Sequence, residues 1–310
     1  MRFLPRRAGL LLADSLAWLA YYLDFRHRHI VRVNLTIAFP ELSRREHARI
    51  GRQSFRNVAR NALELGRFPL LSRENISTLV QYDPEFGLAN YLAAKKKGKG
   101  ILYITGHFSA WELLPAAHAL YGHPLHFITR PLDNVPLESY LLQLREKFGN
   151  KVLSKKDSAR RVLEAIKGRE GVGILMDHNT TLQEGTFATL FGLPAATTTS
   201  VALFALRTGA AVLPGYMTPL RNGRYTVKFL PDIDLIRTGD MTRDVQLNTE
   251  LFNQVMEGII REQPEAWLWG HKRWKNQPEG NPDLYQLSYE ELRKFVTDAK
   301  VSFTAETLRR

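Results

Sequence analysis

Three short apolar runs alternate with stretches of helical periodicity, and this alternation limits what the chain can fold into. Residues 101–105 (ILYIT), 126–130 (HFITR) and 171–176 (GVGILM) are rich in β-formers, and the first is bounded by Gly100 and Gly106. Such runs read as buried strands. The stretches between them, including residues 136–148 and 157–166, read as helices, so the chain spells out βαβ units. An α/β fold is therefore expected, with a central mixed, mostly parallel sheet flanked by helices. Residues 211–216 and 225–230 add two strands, joined by a hairpin turn at Arg221-Asn222-Gly223-Arg224.

The first crossover carries the chemistry. After residues 101–105 come His107, Ser109, Trp111 and Glu112, then an apolar stripe of Leu113, Leu114, Ala117 and Leu120. Ser109 followed three residues later by Glu112 is a capping-box pattern, which opens a helix there. His107 then falls in the strand-to-helix turn, at the end of a strand where open α/β sheets bind ligands. The spacing is His-x4-Glu. Inside one helix that offset sets side chains about 140° apart, so the two converge only with His107 before the helix and Glu112 in its first turn. A carboxylate on one imidazole nitrogen fixes the tautomer and leaves the other as a base toward a hydroxyl. Two plainer readings stand beside this one: Glu112 as a helix cap, and His107 as a hydrogen-bonded structural histidine.

With 310 residues, 44% hydrophobic and 24% charged, the chain is globular and long enough to bury a sizeable core. Its 43 Lys and Arg against 31 Asp and Glu give a net charge of +12. That balance calls for anionic partners: a membrane surface, phosphorylated lipids, an acidic carrier protein or nucleic acid. No zinc-finger, helix-turn-helix or RRM signature supports nucleic acid. The absence of cysteine excludes disulfides, thiolate metal sites and a cysteine nucleophile. No Gly-x-Ser-x-Gly elbow points to a hydrolase. Asp177 and His178 lack the clustered His/Glu spacing of a metal site, and no metal is expected.

Residues 8–23 form an apolar run with Asp14 inside it, flanked by Arg2, Arg6 and Arg7 and by Arg26, Arg28 and Arg32. It is shorter than the roughly 20 residues of a spanning helix, and no signal-peptide cleavage site follows. The run reads as a helix lying in a membrane interface, anchored by Trp18, Tyr21 and Tyr22; an ordinary core helix is the other reading. The expected organisation is a membrane-associated helical segment at 1–36 and a catalytic domain at 37–310. Ser43 and Glu46 form a capping box that opens a helix to about Arg67, and another helix is expected from 83 to 97. Lys95, Lys96, Lys97 and Lys99 form a basic knot, read either as solvated surface or as a contact for an acidic carrier or lipid phosphates. Trp267, Trp269 and Trp274 suit core anchors or a lipid-facing rim, with the core the favoured place.

Taken in order, the segments of the chain resemble the bacterial lipid A late (lauroyl/myristoyl) acyltransferases, a branch of the lysophospholipid acyltransferase superfamily. They are Asn34-Leu35-x3-Phe39-Pro40; His107-x4-Glu112, with the Glu of this branch; Arg130-Pro131-x-x-Asn134; Asp177 with Phe191-Gly192-x-Pro194-Ala195-x-x-Thr198; and Pro264-x-x-Trp267-x-Trp269-x-His271-x-Arg273-Trp274. Glu184-Gly185-Thr186 is similar to the Glu-Gly-Thr phosphate-binding motif of glycerol-phosphate members, with Gln183 where that motif has Pro. The resemblance implies an enzyme of the inner membrane whose catalytic domain faces the cytoplasm. It would move a fatty acyl chain from an acyl carrier protein thioester, or acyl coenzyme A, to a hydroxyl of a lipid A precursor, with no cofactor or metal. On this reading His107 is the general base and Glu112 orients it, while Arg130, Asn134, Asp177, Glu184, Gly185 and Thr186 contact substrate. Relatives acylate other glycolipids, such as mannosylated ones, so the acceptor stays open. A non-catalytic basic membrane-binding protein is the alternative from another class.

Overall fold

In the computed structural model, residues 4–154, 158–220 and 222–307 are described. Arg2, Asp157 and Arg221, used above, lie outside them. The strands are β1 (Val80–Tyr82), β2 (Ile101–Thr105), β3 (His126–Thr129), β4 (Lys151–Ser154), β5 (Gly171–Leu175), β6 (Gly185–Leu190), β7 (Leu193–Thr198), β8 (Ala211–Pro219) and β9 (Tyr225–Phe229). The helices are α1 (Arg6–Leu23), α2 (Phe25–Ala38), α3 (Arg44–Gly66), α4 (Leu88–Lys96), α5 (Leu113–Leu120), α6 (Val135–Glu146), α7 (Ser158–Lys167), α8 (Ser200–Thr208), α9 (Met241–Glu262) and α10 (Tyr289–Thr307).

Among the described residues, seven strands form one sheet in the order β1-β9-β8-β2-β5-β3-β4. All neighbours are parallel except the β8–β9 hairpin. The alternation of strands and helices thus gives the expected mixed, mostly parallel sheet. Side chains of β2 divide by the two-residue period of a strand. Ile101 and Tyr103 join Leu113, Leu114 and Ala117 of α5 on one face; Leu102 and Ile104 join the core built by α7, α8 and α9 on the other.

The sequence did not announce β1, β4 or the separate β6–β7 hairpin. β1 and β4 are edge strands of three and four residues, too short to show a period. β6 and β7 are built largely of Thr, Ala and Gly, whose hydrophobic signal is weak. Thr197 and Thr198 complete β7, and α8 begins just beyond it at Ser200. The helix expected from Asp83 begins at Leu88, after a turn in which the Asp83 carboxylate accepts from the backbone of Glu85 and Phe86.

The N-terminal helix has two apolar faces. Gly9, Ala13, Ala17 and Tyr21, spaced four apart, are buried, and the helix lies along α3. Asp14 secures this contact: it accepts from Arg60 at 2.7 and 2.8 Å and from Arg56. Burial works against its charge, but these two arginines bring Asp14 down to about 2. The other face leaves Leu11, Leu12, Leu16, Trp18, Leu19 and Leu23 in the open. Among the described residues no helix is long and apolar enough to cross a membrane. Helix α2 places Ile30, Val31, Val33, Leu35 and Ile37 in the main core, so a boundary at residue 36 falls inside a helix of the body.

Asn34 ties that helix to the far end of the chain. Its Nδ2 donates to the carbonyls of Trp269 and His271 at 2.8 and 2.7 Å, and its Oδ1 accepts from the Tyr285 hydroxyl at 2.6 Å. Replacing it removes a hydrogen bond from each of three partner groups. Asn34→Ala is expected to lower stability by about 2 kcal/mol, read from denaturant midpoints; a change under about 0.5 kcal/mol would show the tie to be dispensable.

Candidate active site

Strand register brings the central side chains together. Thr105 of β2 lies opposite Leu175 of β5 in a parallel pair, so residues 107 and 177 leave the sheet side by side. His107 Nδ1 lies 2.9 Å from Asp177 Oδ1, and the His107 backbone N–H donates to Asp177 Oδ2 at 2.8 Å. Trp267 Nε1–H donates to the same Oδ2 at 2.8 Å. The Asp177 side chain is only 3% exposed, so it stands behind the histidine instead of facing a substrate.

The capping box expected at Ser109 does not form. Ser109 has a left-handed backbone, φ +51°, and α5 starts only at Leu113. Backbone bonds hold the loop instead: Ser109 N–H donates to Ala266 O at 2.7 Å, Leu268 N–H donates to His107 O at 3.0 Å, and Phe108 pairs with Trp267. The tryptophan-rich segment therefore acts as a strand-like clamp, with Trp267, Trp269 and Trp274 buried as expected of core anchors.

Glu112 stands elsewhere than expected. Its two oxygens accept from Arg145 of α6, Oε2 from Nε at 3.0 Å and Oε1 from Nη2 at 2.6 Å, a bidentate fork. The carboxylate on the imidazole is Asp177, and the direct Glu112–His107 pair is not made. With α5 starting after it, Glu112 faces α6 and acts on His107 only through space. Burial disfavours the imidazolium, yet Asp177, followed by Glu112, raises His107 above its ordinary 6.5. Burial also opposes charge on Asp177, but His107 beside it and the N–H groups around it hold the carboxyl well below the usual range.

Two more imidazoles extend the site. The ring of His178 lies parallel to His107, centroids 4.0 Å apart and planes 6° apart; His271 lies on the other face of His178 at 3.8 Å and 12°. The Asn179 N–H donates to His271 Nε2 at 3.1 Å. Burial pushes His178 down to about 3 and His271 to about 4. Arg273, also buried, donates to Ala196 O at 2.7 Å and Thr197 Oγ1 at 2.6 Å. Donor atoms of His107, Asp177 and His178 come within 4.8 Å of one another. Imidazole lone pairs lie in the ring plane, however, and two nearly parallel planes this far apart cannot both contain one ion. Asp177 is moreover already occupied by three N–H groups, so the set does not fit a metal.

A cavity of about 1040 Å³ opens beside His107. Tyr103, Phe127, Gly173 and Phe229 supply its apolar floor across four strands, Trp111 and Leu114 line it as well, and Arg130, Glu184 and Arg207 are exposed residues of its wall. Glycine keeps this floor low: a Cβ on Gly215 would fall 2.7 Å from the Phe229 ring.

The cavity thus gathers His107, Glu112, Arg130 and Glu184 of the residues singled out from sequence. Asn134 caps α6, its Oδ1 accepting from Leu137 N–H at 3.0 Å, and lies outside the cavity wall. Gly185 is where a Cβ would meet Thr197 O at 2.2 Å, a steric requirement of the β6–β7 hairpin. Thr186 donates its hydroxyl to Gln246 of α9 at 2.5 Å. Arg145, the stacked pair His178 and His271, and the Trp267 contact to Asp177 escaped the sequence reading. Asp177-His178 after a buried strand was visible, but the adjacency of β2 and β5 that gives it meaning was not.

Comparison with known proteins gives the class. The profile of the family described as bacterial lipid A biosynthesis acyltransferase matches residues 1–276. The chain belongs to this family and is an acyltransferase, which removes the non-catalytic alternative. It is 27% identical to a lipid A biosynthesis lauroyltransferase of Escherichia coli (strain K12) over 262 residues, 84% of this chain and 83% of that protein. It is 27% identical to a lipid A biosynthesis acyltransferase of Haemophilus influenzae over 282 residues, 88% and 86% of the two chains. A palmitoleoyltransferase of lipid A biosynthesis from Escherichia coli (strain K12) is 26% identical over 265 residues, 84% and 82%.

The electrostatics predict three distinct histidines. In a proton-NMR titration His107 should titrate above 6.5, while His178 and His271 stay neutral down to pH 5. A His107 midpoint below 6.5 would contradict the assigned pairing.

Proposed function

We propose that this enzyme moves a fatty acyl group from an acyl carrier protein thioester to a hydroxyl of a lipid A precursor, working at the cytoplasmic face of the inner membrane. The observation that carries the reading is a histidine, pinned through Nδ1 by a buried carboxylate, at the mouth of a large apolar cavity. With Nδ1–H directed at Asp177, Nε2 holds the lone pair and takes the proton of the acceptor hydroxyl. That oxygen attacks the thioester carbonyl carbon, and the carbonyl electrons move onto oxygen. When they return, the C–S bond breaks and His107 gives its proton to the departing thiolate, leaving an ester and a thiol. Because Asp177 raises His107, the imidazolium formed midway is stabilised where it is needed.

The acyl chain fits the apolar floor of Tyr103, Phe127 and Phe229, and the relatives' names, lauroyl- and palmitoleoyltransferase, describe acyl groups of that nature. Arg130 and Arg207 at the rim suit the phosphates of a phosphorylated glycolipid or of a pantetheine arm. Glu112 holds Arg145 in the cavity wall and adds negative potential toward His107. The lysine knot at 95–99 precedes β2, whereas His107 follows it, so the two occupy opposite ends of that strand. Carrier contact at the knot is therefore no part of the proposal. Membrane attachment falls to the outer face of α1 and the net charge of +12.

The test is transfer of labelled lauroyl from its carrier-protein thioester to a lipid A precursor. His107→Ala should lower the rate by about 10³-fold or more with the fold intact; transfer near the wild-type rate by that variant would refute the base assignment. For attachment, Leu16 and Leu19 are 47% and 46% exposed and point away from α3. Changing both to Glu should abolish sedimentation with anionic vesicles while leaving the melting temperature unchanged; undiminished sedimentation would count against α1 as the attachment face.

A further inference from the structure

We propose that His178 is a positioning residue for the base: its neutral ring face, backed by His271, holds the plane of His107 and supports the positive charge that forms there during proton transfer. The inference rests on the acyl-transfer reading of the same site.

Three observations lead to it. The two rings overlap as parallel plates, 4.0 Å between centroids and 6° between planes, and a second plate at 3.8 Å and 12° closes the stack behind them. A ring so placed resists rotation of its neighbour, and an electron-rich π face close to a cation attracts it. His271 is itself fixed, since Nε2 accepts the Asn179 N–H and its backbone carbonyl accepts from Asn34. Finally, His178 Nε2 is sealed from solvent and has no hydrogen-bond partner among the described residues. What this side chain presents to His107 is therefore its face.

The charge pattern agrees with that role. His107 is faced by Asp177 just beyond β5, by Glu112 with its Arg145 partner from α6, by Trp111 at 5.2 Å, and by the stack of His178 and His271, on which Arg273 acts through space. Were His178 to protonate, two imidazoliums would lie face to face. Burial keeps it neutral, at about 3, so of the stacked rings only His107 takes up charge, when it receives the hydroxyl proton.

The experiment compares His178→Phe with His178→Leu in the full chain, using lauroyl carrier-protein thioester and a lipid A precursor as probes. Phe keeps a flat π face without nitrogens; Leu keeps apolar volume without the face. The expected result is kcat within about threefold of wild type for Phe and about tenfold lower for Leu, the scale of a desolvated cation–π contact, with KM unchanged in both. The His107 midpoint from NMR titration of the unliganded protein should fall in Leu and hold in Phe. Equal activity and equal midpoints for Leu and Phe would reduce the stack to packing. Equal losses in both would mean that a nitrogen matters and not the face. Both results overturn the proposal. His178→Tyr serves as the second flat-ring variant should Phe fail to fold. The titration arm needs no substrate, so it stands apart from the acyl-transfer reading, which His107→Ala tests by itself.

Discussion

One ionised carboxylate, removed from water, holds the site together. Asp177 accepts the Nδ1–H and backbone N–H of His107 and the indole N–H of Trp267. Burying such a charge is costly, and it persists only because each oxygen is hydrogen-bonded and a group able to become cationic lies beside it. Those bonds fix where the loop of His107 sits, which way the imidazole faces and which of its nitrogens stays open. The proposed chemistry follows from that orientation.

The same carboxylate explains why remote segments matter to one loop. Trp267 reaches Asp177 because residues 266–268 bond to the backbone of 107–109 as a strand would. That segment is held in turn by Asn34 of α2 and by Ser54 of α3, whose hydroxyl donates to Trp267 O at 2.9 Å and accepts from Trp269 N–H at 3.1 Å. The N-terminal helices are thus structural supports of the site as well as a surface. One side of α1 lies on α3, while the large apolar side chains of its other side are exposed.

Much of this was legible in the chain. The strand at 101–105 and the turn after it placed His107 at a strand's carboxyl end, because a short apolar run between glycines is a local signal. The pairing of His107 was not legible. Glu112 lies five residues away and is the partner that spacing offers, but Ser109 takes a left-handed backbone and the helix starts later, turning Glu112 toward Arg145. The true neighbour, Asp177, is 70 positions distant, and only strand order makes it adjacent. Asn134 and Thr186, expected to contact substrate, bond instead within the helix α6 cap and to Gln246, for a related reason. Short polar side chains serve caps and hairpins as readily as ligands, and sequence spacing does not tell these uses apart.

The measurement that bears most directly on this account is the rate of acyl transfer by Asp177→Asn beside Glu112→Gln, each shown to be folded. If Asp177 sets the tautomer of His107, the asparagine variant should lose about 10⁴-fold, the scale of a wrong-tautomer histidine. Glu112→Gln should lose at least tenfold less, since it disturbs only Arg145 and a through-space charge. A larger loss from Glu112→Gln than from Asp177→Asn would contradict the account and return the imidazole's partner to Glu112.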